Sequence, residues 1–168
     1  MKGGREAITI RRMEAADVAQ VVALAKGLDE APHWPATVYR QAIGADSVPR
    51  RMALVAAGAR PERIVGFALA SLLPPEAELE AIAVAREGQR RGLGRRLFQA
   101  LAAELKAAGA RELRLEVRAS NGRAREFYEA FGFARVGMRR GYYADPVEDA
   151  VLMRIELGCG ETGDCVSC

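Results

Sequence analysis

Gln89-Arg90-Arg91-Gly92-Leu93-Gly94-Arg95 is the stretch whose residue types point most directly to chemistry. It follows an apolar run, Leu79 to Val84, and opens a leucine-striped segment, so it sits where a strand gives way to a helix. A helix N-terminus carries N–H groups without partners and the positive end of the helix dipole, and both favour an anion. Gly92 and Gly94 let phosphate oxygens reach the main chain without meeting a side chain, and the arginines add attraction. The duller alternative is an arginine-rich helix start that only aids solubility. The stretch is not a dinucleotide fingerprint, which needs a third glycine, nor a Walker loop, which needs a following lysine. No nucleophile elbow is present, and a single histidine, His33, leaves metal hydrolysis short of ligands.

Other polar residues stand out by position. Glu116 lies between Arg114 and Arg118 on one face of an alternating segment, which by itself reads as a cross-strand ion pair. Glu78 and Glu80 alternate in the run before the basic loop, and alternation puts Glu80 on a face with Ile82 and Val84. Tyr128 stands beside Phe127 and Phe131, a spacing that suits either a buried aromatic face or a polar handle. Asn121 is a helix cap by residue type, a role compatible with ligand contact.

The elements that must hold these residues emerge from periodicity. Ala7 to Arg12 alternates as a half-buried strand. Val18, Val21, Val22, Ala25 and Leu28 recur at helical spacing, Pro32 and Pro35 interrupt, and a second helix runs from Ala36 to Ile43. Met52–Ala57 and Ile64–Leu73 read as strands joined by a hairpin loop from Gly58 to Arg63, and Leu79–Val84 as a further strand. Leu93, Leu97, Leu101 and Leu105 then form an i, i+4 stripe that Gly109 closes with a left-handed cap. Glu112–Arg118 alternates strictly, a helix through Phe127-Tyr128 comes next, and Phe133–Arg140 and Ala150–Leu157 are closing strands. Gly141-Tyr142-Tyr143-Ala144-Asp145-Pro146 reads as the loop between them. Consecutive strands imply antiparallel pairing in the first half, and strand, helix, strand around the leucine stripe implies a parallel crossover. The expected class is mixed α/β, in one domain over residues 1–157.

Composition excludes several functions. The 168 residues are 50% hydrophobic and 28% charged, a balance of globular domains rather than disordered chains. Net charge is only +3, too small for a nucleic-acid coat, and the segment from Arg86 to Arg96 alone holds five arginines against Glu87. No apolar run is long enough to span a bilayer and Met1 to Ile10 lacks the apolar stretch of a secretory signal, so no membrane partner and a cytoplasmic location are expected. Cys159, Cys165 and Cys168 fall in a glycine-containing tail, 158–168, that reads as flexible and reduced, and no metal site is expected.

Several motifs in register resemble a known family. Leu79-Glu80-Ala81-Ile82-Ala83-Val84, the Gln89–Arg95 loop, Leu115-Glu116-Val117-Arg118-Ala119-Ser120-Asn121, Ala124, Phe127-Tyr128-Glu129 and Phe131-Gly132-Phe133 look like the core of the GNAT superfamily of N-acetyltransferases. Within it they are most similar to the ribosomal-protein-alanine N-acetyltransferases, a likeness that runs from about Glu76 to Leu157 and includes Arg139-Arg140-Gly141-Tyr142-Tyr143. Residues 1–75 match mainly in element order. The resemblance implies a twisted mixed sheet of about seven strands with about four helices, and a splayed pair of parallel strands that takes acetyl-coenzyme A. It implies that Ile82, Ala83 and Val84 line the pantetheine arm, that Arg90, Arg91, Gly92, Leu93, Gly94 and Arg95 hold the pyrophosphate, and that Asn121 touches the cofactor further along. The family's general base corresponds to Glu116 and its general acid to Tyr128. Glu80 stands where the most similar members carry an apolar or aromatic residue, which makes it a second candidate base.

Elementary chemistry fits this outline. An ammonium has no lone pair, so an attacking amine must first lose a proton, and a chain-terminal amine near pKa 7.7–8.0 needs less help than a lysine at about 10.4. A carboxylate near its usual value of about 4.3 is a weak base without burial or a relaying water. The leaving thiolate is better served by a hydrogen bond from a phenol than by full proton transfer, because the phenol titrates near 10 and the thiol near 8.5. Tyr142 and Tyr143 are the expected grip on an incoming peptide. His33-Trp34-Pro35 is a candidate opposite wall, with Trp34 either core or groove lining. The leading expectation is acetyl transfer to the N-terminal amine of a protein, a ribosomal protein beginning with alanine. A small-amine acetyltransferase for a polyamine or antibiotic, or an inactive coenzyme-binding module, are the alternatives. Oligomeric state is not readable.

Overall fold

The computed structural model describes residues 7–44, 47–59 and 62–158. The tail cysteines Cys159, Cys165 and Cys168, and Arg60-Pro61 of the expected hairpin loop, lie outside the described residues. In chain order the elements are β1 (Ile8–Arg12), α1 (Val18–Lys26), α2 (Ala36–Ile43), β2 (Arg50–Ala59), β3 (Glu62–Leu73), β4 (Glu76–Val84), α3 (Leu93–Ala107), β5 (Glu112–Arg118), α4 (Gly122–Glu129), β6 (Ala134–Ala144) and β7 (Val147–Glu156). They build a mixed α/β fold around one sheet, ordered β1-β2-β3-β4-β5-β7-β6. Every neighbouring pair is antiparallel except β4 and β5, which the α3 crossover makes parallel.

Two apolar layers sandwich the sheet. On one face the stripe Leu93, Leu97, Leu101 and Leu105 is buried against Leu54, Leu79, Leu113 and Met153, joined by Tyr128 and Phe133. On the other face α1 and α2 cover Val55, Phe67 and Leu69 with Val21, Ala25 and Tyr39. Gly66 is where α3 sits hardest on the sheet, since a Cβ there would stand 2.9 Å from the Leu97 side chain and 3.0 Å from the Ala83 carbonyl. Trp34 flanks the second layer, half-buried, with its ring 5.9 Å from Tyr39.

Two features of β4 shape the cleft beside it. Ala77 and Leu79 belong to the α3 layer, whereas Ala81 and Ala83 belong to the opposite one. Regular alternation would keep all four on one face, so the strand carries an extra residue, and the ladder to β3 slips between Leu69 and Ala70 to accommodate it. The bulge falls at Glu80. Further along, β4 and β5 pair only through Glu76↔Glu112, Ala77↔Leu113 and Glu78↔Arg114, and then part. The parallel pair is therefore a fork, closed at Glu78 and open toward Val84 and Arg118.

β6 departs from the expected boundaries. Tyr142 and Tyr143 do not lie on a loop: β6 runs through Ala144, and only Asp145-Pro146 turns the chain into β7. The glycine read as a loop residue, Gly141, is left-handed at φ 57 within a register slip between Arg139 and Tyr143, and its N–H donates to Asp149 at 2.8 Å. Backbone irregularity and turn chemistry share glycine, which is why the two are indistinguishable by composition.

Candidate active site

The basic loop begins where β4 ends. Arg90 and Gly92 both adopt left-handed backbone, at φ 59 and 76, which folds the loop over the start of α3. The Arg96 N–H reaches the Gly92 carbonyl at 3.1 Å as the first turn closes, leaving the preceding N–H groups without helical acceptors. A Cβ on Gly92 would meet nothing within 4 Å, so the space above the loop is open. Gly94 differs: a Cβ there would touch the Phe127 ring at 3.4 Å, so this glycine lets α3 approach α4. Among the described residues, Arg90, Arg91 and Arg95 form no ion pair, although Arg86 reaches Asp29 at 3.4 Å and Arg63 reaches Glu87 at 2.6 Å close by. Gln89 ties the loop to the strand, donating to the Val84 carbonyl at 3.0 Å and accepting from Arg123 of α4 at 3.0 Å.

These features suit a diphosphate bound at the helix start with an extended arm running into the fork. The N–H of Ala85 pairs with the Val65 carbonyl at 2.8 Å, toward β3. By alternation the main-chain groups of Ile82 and Val84 face the other way, into the gap beside β5, while those of Ala83 serve the β3 ladder. Asn121 caps α4 by accepting the Ala124 N–H at 2.9 Å, at the open end of β5.

On the α1–α2 side of the fork, carboxylates gather. Leu113, Leu115 and Val117 bury into the α3 layer, so Glu116 projects to the opposite face, and Glu78, opposite to Leu79, does likewise. Glu80 is brought to this face by the bulge, not to the face of Ile82 and Val84, which pack against the α3 layer. Its carboxylate is held by the Arg51 Nε at 3.0 and 3.1 Å. Nor does Glu116 pair with its strand neighbours: Arg114 serves Glu112 and Glu76, and Arg118 serves Glu148 at 3.2 Å. Its partner is Arg139 of β6, whose Nη1 lies 2.9 Å from Oε1, reaching diagonally across β7.

Tyr142 adds a second hold, donating its hydroxyl to Glu116, and that hydrogen bond keeps the phenol protonated above its ordinary range. Glu78 has no ion-pair partner among the described residues, and burial, with the charges of Glu116 and Glu80, pushes its carboxyl up. Glu78, Glu116 and Arg139 line one cavity of about 420 Å³ with Ser71, Val136 and Leu152. The sequence gives no partner for Arg139 and does not single out Arg51, because nothing local announces which carboxylate a distant arginine will meet.

Tyr128 is buried between Phe127 and Phe133, with ring centroids 5.4 and 5.5 Å away. Burial, with Tyr143 adding to it, drives its phenol far above the usual value, so it stays protonated at neutral pH. Tyr143 carries the Arg118 guanidinium over its ring at 4.1 Å. The fold thus brings Glu116, Tyr142 and Tyr143 together on the β5–β6 side, with Tyr128 near Tyr143. His33 stays exposed, its ring nitrogen 3.1 Å from the Leu28 carbonyl. Among the described residues no group of His, Cys, Asp and Glu could hold a metal ion, and no helix is long and apolar enough to cross a membrane.

Comparison with known proteins supports the same outline. The acetyltransferase (GNAT) family matches residues 21–133. A [ribosomal protein bS18]-alanine N-acetyltransferase of Salmonella typhimurium is 44% identical over 98 residues, covering 57% of this chain and 66% of the relative, so the chain matches just under two thirds of that relative's length. Among solved structures, the ribosomal-protein-S18-alanine N-acetyltransferase from Escherichia coli superposes with a TM-score of 0.79 at 31% identity, over 92% of this chain and 97% of that one. Chaetomium thermophilum Naa20 in complex with a bisubstrate analogue gives 0.77 at 27% identity, over 88% of this chain and 86% of that one.

Proposed function

The chain belongs to the GNAT acetyltransferase family, and from that premise we propose that it transfers an acetyl group from acetyl-coenzyme A to the N-terminal amine of a protein. The relatives' acceptor, a ribosomal protein with N-terminal alanine, is the first candidate. The observation that carries this reading is the fork: an anion-ready helix start lies at its open end, and a carboxylate framed by two residues of β6 lies on its flank.

In this reading Arg90, Arg91 and Arg95 and the free N–H groups at Leu93 and Gly94 hold the diphosphate, with Gly92 leaving room for it. Ile82 and Val84 add main-chain hydrogen bonds to the amide-bearing arm, as an extra strand would, and Asn121 lines the way. When bound, the cofactor supplies an activated acyl carbon and a thiolate leaving group. Glu116 takes the proton that the acceptor ammonium must lose, directly or through one water. Tyr128, kept protonated by burial, donates a hydrogen bond toward the departing sulfur. Tyr142 and Tyr143 border the acceptor side. Glu80 loses standing as the base, because both its oxygens already face the Arg51 Nε.

The acids on the acceptor face favour a small polycationic amine as the second reading. Two of the three, however, carry arginine partners, which leaves little net charge for a polycation. A screen of peptides with varied first residues against free amines, with acetyl-coenzyme A in excess and thiol release as readout, decides between them. Alanine-first peptides are expected to lead; a polyamine acetylated faster than every peptide would reverse the assignment.

A further inference from the structure

Arg139 occupies the place that an acceptor needs. Its guanidinium lies 2.9 Å from Glu116, the group assigned above to receive the proton, and it also stands over the Tyr142 ring at 5.5 Å from the centroid. An ammonium delivered to Glu116 would meet that guanidinium at the carboxylate. Two cations at one carboxylate repel each other, so an ammonium arriving at Glu116 loosens the hold of Arg139. Arg139 is the one able to move, since its side chain is 57% exposed while that of Glu116 is 16% exposed. It also has somewhere to go. Glu78 lines the same cavity, has no ion-pair partner among the described residues, and already feels the Arg139 charge.

We propose that Arg139 is a positioning residue that exchanges carboxylates: it holds Glu116 in the absence of acceptor and moves to Glu78 when the acceptor ammonium takes Glu116. The inference rests on the acetyltransferase reading for the direction of approach, and no bond is made or broken in the exchange. Its consequence is that Glu116 never faces the groove as an uncompensated charge, in either state. Acceptor affinity is reduced by whatever the first pair contributes and restored by whatever the second returns. Glu78 thereby acquires a role that its partnerless state otherwise leaves unexplained.

The test measures equilibrium affinity for an alanine-first peptide in the presence of coenzyme A, alongside kcat and KM for acetyl transfer. Arg139→Met removes both pairs and should change peptide affinity little by itself; added to Glu78→Gln, where only the first pair remains, it should tighten binding roughly threefold, the scale of a partly exposed ion pair. Arg139→Lys should keep near wild-type affinity, because a lysine can still pair with either acid. Glu78→Gln should weaken peptide binding by about the same factor in the wild-type background, and by much less when Arg139 is already Met. An additive Glu78→Gln effect, equal in both backgrounds, would mean that Glu78 attracts the ammonium directly, and overturns the exchange. Weaker binding in Arg139→Met, with Arg139→Lys restoring it, would make Arg139 a simple scaffold and also overturn it. Should peptides bind with the expected coupling while no thiol is released, the exchange stands and the transferase reading falls. If thiol is released with no such coupling, the reverse holds.

Discussion

The two sides of the fork hold their charges differently. At the start of α3 the arginines Arg90, Arg91 and Arg95 have no acidic partners among the described residues, although acids lie in reach of their neighbours Arg86 and Arg63. On the α1–α2 face of the fork most acids are tied, Glu80 to Arg51, Glu116 to Arg139, Glu112 to Arg114 and Arg154, and Glu148 to Arg118, with Glu78 the exception among the described residues. Free cations suit a ligand of high charge that arrives from water and must be caught. Paired carboxylates suit a ligand of single charge that must be placed, since a bound arginine fixes where the oxygens point. In the proposed reading one side captures and the other aligns.

That contrast can be broken by substitution. Glu116→Gln should cause the largest loss, at least about a hundredfold in kcat, with acetyl-coenzyme A affinity nearly unchanged. Full activity in Glu116→Gln together with loss in Glu80→Gln would place the base on β4 instead. Arg90→Ala combined with Arg95→Ala should do the opposite, raising KM for acetyl-coenzyme A by roughly tenfold or more while kcat at saturation holds. That penalty should shrink as salt is added, which a KM series in sodium chloride would check. Tyr128→Phe should lower kcat by roughly tenfold with peptide affinity intact. Its raised phenol further predicts that the wild-type rate shows no alkaline fall from this group up to about pH 10, readable in a pH–rate profile.

The smallest effect concerns stability. Burial and two neighbouring acids raise the Glu78 carboxyl, so its folded pKa exceeds its unfolded one. The neutral form is the one favoured by folding; that contribution is present at acid pH and is lost as pH climbs through the folded value. Glu78→Gln should therefore melt slightly higher than wild type at pH 7, and the gain should vanish below about pH 4, near the unperturbed carboxyl value, which calorimetry at both pH values can test.

Much of the fold is legible in sequence where the signal is local. The leucine stripe is buried as its spacing requires, α2 begins and ends at Ala36 and Ile43, and Asn121 caps its helix through the Ala124 N–H. Glu112–Arg118 shows the two unlike faces that its alternation demands. What escapes is set between strands rather than along them. The bulge at Glu80 exists only as a slip against β3, and the Arg139–Glu116 pair joins residues from strands separated by β7. Tyr142 and Tyr143 read as loop residues because Gly141 and Pro146 imitate turn chemistry, while β7 pairing holds the segment extended.

The extra residue in β4 divides that strand into two halves that present opposite parities to each face of the sheet. In the proposed reading, positions 78 and 80, up to the bulge, face the acceptor, and Ile82 and Val84, beyond it, serve the donor. Substitutions in the first half can therefore redraw acceptor preference without disturbing the donor's seat, so one scaffold can diversify in what it acetylates while the thioester end stays fixed.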